Sequence, residues 1–151
     1  LPILIESVLQ NLKFQIQETE VDISYNLEEV DQIYTIRDFL FNVLVNLVSN
    51  SIKYRYPKRT PEVQIRASLV EGKPCIEVSD NGLGINLDKY GEKIFSLYSR
   101  FHTHVEGKGM GLHLVKNLVE AMGGSINVSS KEGQGTIFSI LLPAESENIS
   151  S

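Results

Sequence analysis

Residues Phe41 to Tyr54 read FNVLVNLVSNSIKY. Apolar residues at Leu40, Leu44, Leu47, Val48 and Ile52 recur at helical spacing and cover a broad face. Within that helix stand three asparagines, Asn42, Asn46 and Asn50, each four residues after the last, with Lys53 one turn beyond. Positions i, i+4 and i+8 of a helix share one stripe. Asparagine is a mediocre helix former, because its amide competes for backbone hydrogen bonds. A polar stripe on so apolar a helix faces solvent, or it faces a buried polar ligand that satisfies its amides, such as a phosphate–metal group. Three asparagines in register favour the ligand; the helix alone does not decide.

The chain has 151 residues, enough for one domain with its own core. A net charge of −5 with no basic block argues against nucleic acid as a main ligand. Apolar runs are broken by asparagines, so no segment is expected to span a bilayer. Cys75 is the single cysteine, which excludes an internal disulfide and suits a reducing compartment. The first residue is Leu and no signal peptide is evident, so the sequence reads as a piece of a longer protein.

The helical period predicts a connecting helix over residues 1–18, with Pro2 in its first turn. Val21 to Leu27 alternates as a half-buried strand, and Ile33 to Ile36 reads as a short second strand. The asparagine helix follows, from about Arg37 to Tyr54, and then a polar loop with Pro57 and Pro61. Two strand patterns, Val63 to Leu69 and Cys75 to Val78, flank a Glu71-Gly72-Lys73-Pro74 turn. Residues 85–108 have weak periodicity, and so long a loop reads as a lid over a site. Leu112, Leu114, Val115, Leu118 and Met122 mark a helix that Gly123-Gly124 ends. Strands around Ile126 and Val128 and from Ile137 to Leu142 follow, and residues 144–151 form a frayed tail. The fold class this implies is α+β: a single domain over 1–151, a two-layer α/β sandwich with helices on one face of one sheet.

Two glycine clusters bear on phosphate binding. Asp80-x-Gly82-x-Gly84 follows a strand, and Gly107-Lys108-Gly109-Met110-Gly111-Leu112 opens a helix. Glycine lets the backbone approach a ligand closely, and the free N–H groups of a helix start attract anions. Each cluster alone is a weak signal and reads more readily as a plain turn. No Gly-Lys-Ser/Thr ends the second cluster, as a Walker loop requires, and no strand leads straight into it, as a dinucleotide fingerprint requires. His102-x-His104 lacks a third metal ligand, and His113 reads as structural or surface.

The order of these pieces resembles the catalytic ATP-binding domain of sensor histidine kinases, within the GHKL superfamily and its Bergerat fold. Asn46 to Tyr54 resembles the N box and Asp80 to Gly84 the first glycine box. Ile94 to Arg100 resembles the F box, Gly107 to Leu112 the second glycine box, and Gly133-Gln134-Gly135-Thr136 the last. The run from Tyr98 to Gly109 is similar to sensor kinases that carry PAS domains. The resemblance implies a mixed, mostly antiparallel sheet and a long ATP lid, mobile without nucleotide. It implies ATP and Mg²⁺ as ligands. Asp80 would accept a hydrogen bond from the adenine amino group, Thr136 would hold that carboxylate or a bridging water, and Gly82 and Gly84 would leave room for the base. Asn50 and Asn46 would bind or support the metal, Lys53 would meet phosphate charge, and Tyr54 would pack near the sugar or in the core. Gly107, Lys108, Gly109, Met110, Gly111 and Leu112 would form the phosphate loop. Arg100 and Lys108 would stabilise the transferring γ-phosphate, or remain solvated charges. No phosphoacceptor histidine is expected within this sequence, and so no self-phosphorylation. The implied partners are the protein's own dimerisation and phosphoacceptor helices, in a homodimer, and a response regulator. The implied location is cytoplasmic, with membrane anchoring of the full-length protein left open. A nucleotide-sensing pseudokinase or an anti-sigma-type serine kinase module is the alternative.

Overall fold

The computed structural model describes residues 1–27, 30, 33, 35–91, 93–95 and 111–144. Helices α1 (Pro2–Asn11) and α2 (Lys13–Thr19) lead into strand β1 (Asp22–Asn26). Helix α3 (Arg37–Lys53) follows, then the hairpin β2 (Glu62–Val70) and β3 (Lys73–Asp80). A short helix α4 (Leu87–Tyr90) precedes α5 (Gly111–Ala121), and a second hairpin, β4 (Ser125–Lys131) and β5 (Gly135–Leu141), completes the fold.

The five strands form one sheet in the order β1-β2-β3-β5-β4. β1 runs parallel to β2, and every other pairing is antiparallel. A parallel pair needs a crossover, and α3 lies within the one between β1 and β2. The β2–β3 turn has positive φ at Glu71 (53°) and Gly72 (78°), as a two-residue hairpin of the right twist demands. Along β2, buried Val63, Ile65 and Ala67 alternate with exposed Glu62, Gln64 and Arg66. On β5, Thr136, Phe138 and Ile140 are buried. One sheet face is therefore apolar and one polar, and the helices cover the apolar one.

Helix α3 forms the centre of that layer. It buries Leu40, Val43, Leu44, Leu47, Val48 and Ile52, and it packs against α1, α5 and the sheet. Each such side chain contributes about 1.5–3 kcal/mol of transfer free energy, which outweighs the poor helix propensity of the asparagines.

Three expectations are corrected. The N-terminal helix is two helices, bent at buried Leu12, whose φ of −98° and ψ of 14° leave the helical range. Ile33, Thr35 and Ile36 lie in no strand; Ile36 is the extended residue before α3, and Tyr34 lies outside the described residues. Part of the expected lid is helical, since Asn86 caps α4 by accepting from the Lys89 N–H. No helix among the described residues is long and apolar enough to cross a membrane.

Candidate functional site

A cleft opens where α3, the end of β3, the start of α5 and β5 meet. Asn50, Ser51, Tyr54, Asp80, Ile85 and Thr136 are among the residues that line it. Its enclosed part is narrow, about 30 Å³. That is room for a water or two.

The β3–β5 register sets Asp80 opposite Thr136 at the floor of the cleft. The Asp80 carboxylate accepts the Gly82 N–H at 2.9 Å, and the Ser51 hydroxyl and the Thr136 backbone N–H also donate to it. Those bonds favour the ionised form. Burial opposes them more strongly, so the carboxyl sits above its ordinary value of 3.8. A desolvated acceptor of this kind gains most from a further donor.

Ser51 was not among the expected site residues. It is 4% exposed and also lies 3.2 Å from the Leu47 carbonyl. The signal was available: it falls one turn after Leu47 on the apolar face of α3, where a polar residue needs a buried partner. Thr136 is where expected, 6% exposed, but its hydroxyl is paired with Ser130 at 2.8 Å. Ser130 also accepts the Ile85 N–H, at 2.8 Å.

The first glycine box packs against the protein's own backbone. A Cβ on Gly82 would lie 2.6 Å from the Tyr54 carbonyl oxygen, and one on Gly84, whose φ is +74°, would collide with the Lys131 carbonyl. Glycine is thus required at both positions before any ligand is considered. Arg59 braces the outer side of this turn, donating to the carbonyls of Asn81 (2.9 Å) and Gly133 (2.7 Å).

At the other end of the cleft the asparagine stripe meets the start of α5. The Asn42 and Asn46 amide N–H groups donate to the carbonyls of Asp38 and Asn42, at 2.8 and 2.7 Å. Asn46 turns its amide oxygen toward α5: a Cβ on Gly111 would lie 3.3 Å from it, and 3.9 and 4.0 Å from the amide oxygen and nitrogen of Asn50. The amide groups of Asn46 and Asn50 therefore stand beside Gly111, the first described residue of α5, and a helix start favours an anion. Oxygen donors of this type suit Mg²⁺, and the helix start suits phosphate.

Lys53 is exposed one turn further along, and Tyr54 is half-buried in the cleft wall. Leu112 is buried and lines the cleft. Arg100, Gly107, Lys108, Gly109, Met110, His102 and His104 lie outside the described residues. Among the described residues no group of His, Cys, Asp and Glu could hold a metal ion. His113 is structural: its ring pairs with the Phe95 carbonyl at 3.2 Å and the Asn117 amide at 3.3 Å.

Comparisons with known proteins bear on the family and the fold. Residues 35–146 match the family described as histidine kinase-, DNA gyrase B-, and HSP90-like ATPase. The chain is 32% identical over 141 residues to cyanobacterial phytochrome A of Nostoc sp., covering 92% of this chain and 18% of that protein. It is 37% identical over 128 residues to the sensor histidine kinase ZraS of Salmonella typhimurium, covering 84% of this chain and 27% of that one. The chain thus spans less than a third of the length of these relatives. Among solved structures, the catalytic domain of histidine kinase ThkA superposes with a TM-score of 0.80 at 26% identity, over 98% of this chain and 95% of that one. Full-length ShkA in complex with AMPPNP superposes with a TM-score of 0.76 at 26% identity, over 93% of this chain and 29% of that one. The chain belongs to the histidine kinase-, DNA gyrase B- and HSP90-like ATPase family.

Proposed function

We propose that this domain binds Mg-ATP and presents it for γ-phosphoryl transfer to a histidine on a separate dimerisation helix pair of a sensor histidine kinase. The observation that carries the reading is the pairing of two unlike ends in one cleft. A half-buried carboxylate, Asp80, lies at one end, and the side-chain amides of Asn46 and Asn50 beside the start of α5 lie at the other. The first suits a purine amino group, and the second suits a metal–triphosphate. ShkA, a structural neighbour, holds AMPPNP in its structure, which supports a nucleotide here.

Asn50 and Asn46 would hold Mg²⁺, which when bound screens phosphate charge. Lys53 would add positive charge beside the phosphates, and Arg100 and Lys108 would serve the transferring γ-phosphate. Tyr54, half-buried in the cleft wall, would pack beside the sugar or serve the core. The residues of the second glycine box, from Gly107 to Leu112, would contact the phosphates; residues 107–110 lie outside the described residues.

Asn46 also separates this reading from rapid ATP hydrolysis. The ATP-hydrolysing members resembled here carry Glu at that position, and a carboxylate can activate water where an amide cannot. A neutral imidazole brings its own lone pair and asks less of a base. The partners are then the protein's own phosphoacceptor helices in a homodimer and a downstream response regulator, in the cytoplasm.

The test mixes the domain with an acceptor helix pair from the same protein and γ-labelled ATP. The expected product is a phosphohistidine, labile in acid and stable in base. An acid-stable phosphoserine would favour an anti-sigma-type kinase, and binding without transfer would favour a nucleotide sensor. Rapid turnover of ATP by the domain alone would overturn the proposal.

A further inference from the structure

We infer that Ser130 sets the direction of the Thr136 hydroxyl, and thereby makes the base end of the cleft a surface of acceptors only. This rests on the nucleotide reading above and adds a specificity-determining residue to it.

Ser130 lies on β4, paired in register with Thr136 on β5. Its Oγ lies 2.8 Å from each of three atoms: the Ile85 backbone nitrogen, the Gly135 carbonyl oxygen and Thr136 Oγ1. Two of those partners leave no choice. A backbone N–H can only donate, and a carbonyl oxygen can only accept. Serine has one hydroxyl proton, and Gly135 takes it. One lone pair meets the Ile85 N–H, and only the second remains for Thr136. The Thr136 hydroxyl must therefore donate to Ser130, which commits its single proton.

Thr136 lines the cleft and Ser130 does not. What Thr136 offers a ligand is thus its lone pairs alone. Beside it stands Asp80, which as a carboxylate also only accepts. Two neighbouring acceptors match a purine edge that carries an amino donor. They oppose a carbonyl at the same place, which would set lone pairs against lone pairs. Ser130 touches no ligand in this scheme. It is a positioning residue, and it also ties Ile85, another residue of the cleft wall, to the same point.

The test measures Mg-ATP and Mg-GTP affinities by calorimetry for the parent chain, Ser130→Ala, Thr136→Val and the double variant. The parent should prefer ATP. Ser130→Ala releases the Thr136 proton, so the hydroxyl can donate to a carbonyl, and the ATP-to-GTP preference should shrink by about tenfold. A merely structural role would weaken both nucleotides alike and leave the ratio unchanged, which would overturn the inference. Thr136→Val removes the hydroxyl and should also shrink the ratio, with Ser130→Ala adding nothing further in that background. Should Ser130→Ala not fold, Thr136→Val decides: an intact ratio there overturns the inference. A parent that binds both nucleotides equally would sink it while leaving nucleotide binding standing. A parent that binds neither would overturn the reading of the cleft itself.

Discussion

Burial holds the Asp80 carboxyl above its ordinary range, so in its ionised form this side chain weighs against the folded apo chain at neutral pH. The sign follows directly. A group whose folded pKa exceeds its unfolded one favours folding below both values and loses that contribution as pH rises through the folded value. Asparagine at this position has no such dependence. The stability of the parent relative to Asp80→Asn should therefore rise as pH falls from 7 toward 4, read by urea unfolding; a change in the opposite direction would contradict the assigned cause. The same substitution should damage adenine recognition, because it replaces an acceptor with an ambiguous amide. Asn50→Ala should weaken Mg-ATP binding roughly tenfold, measured by calorimetry, and an unchanged affinity would remove Asn50 from the metal. Asn46, Asn50, Asp80 and Thr136 were legible in the sequence because they sit in motifs with fixed spacing. Ser51 and Ser130 were not. Serine is common on solvated faces, and only its phase among inward-facing neighbours marks these two as internal. Ser130 continues the Ile126, Val128 alternation, so a strict reading of phase would have placed it on the helix side of the sheet.

At the scale of elements, two glycines with similar backbones carry different constraints. Gly72 has φ +78° with open space around its would-be Cβ, whereas Gly84 has φ +74° with the Lys131 carbonyl in the way. Gly72→Ala should cost about 1 kcal/mol from backbone strain alone. Gly84→Ala adds a backbone clash and should cost about 3 kcal/mol or more, with loss of nucleotide binding. Denaturant midpoints compare the two directly, and equal costs would argue against close approach of the β4–β5 turn. The helices and hairpins were legible because apolar periodicity states them outright: α3 begins at Arg37 and β2 brackets Val63 to Leu69, as read. The bend at Leu12 was hidden, because Leu12 and Ile16 keep the apolar phase of one continuous helix across it. The failed strand at Ile33 to Ile36 has a similar cause. A short apolar run fits either a strand or an extended lead-in to a helix, and only its neighbours decide.

For the whole molecule, mass action links ligand to stability. Mg-ATP at a hundredfold excess over its dissociation constant should stabilise the fold by about 2.7 kcal/mol, which appears as a rise of several degrees in melting temperature. GTP should give a smaller rise, and no rise with ATP would contradict the proposed function. The sheet order was beyond the sequence, since nothing local announces that β5 inserts between β3 and β4. Yet that insertion is what brings Thr136 beside Asp80. The cleft is assembled from Asn50, Asp80, Gly111 and Thr136, four segments far apart along the chain. A chain in which any one of the four is out of place lacks the whole cleft. A ligand held there would report that these four segments have come together, and a misassembled copy would have no such grip on it.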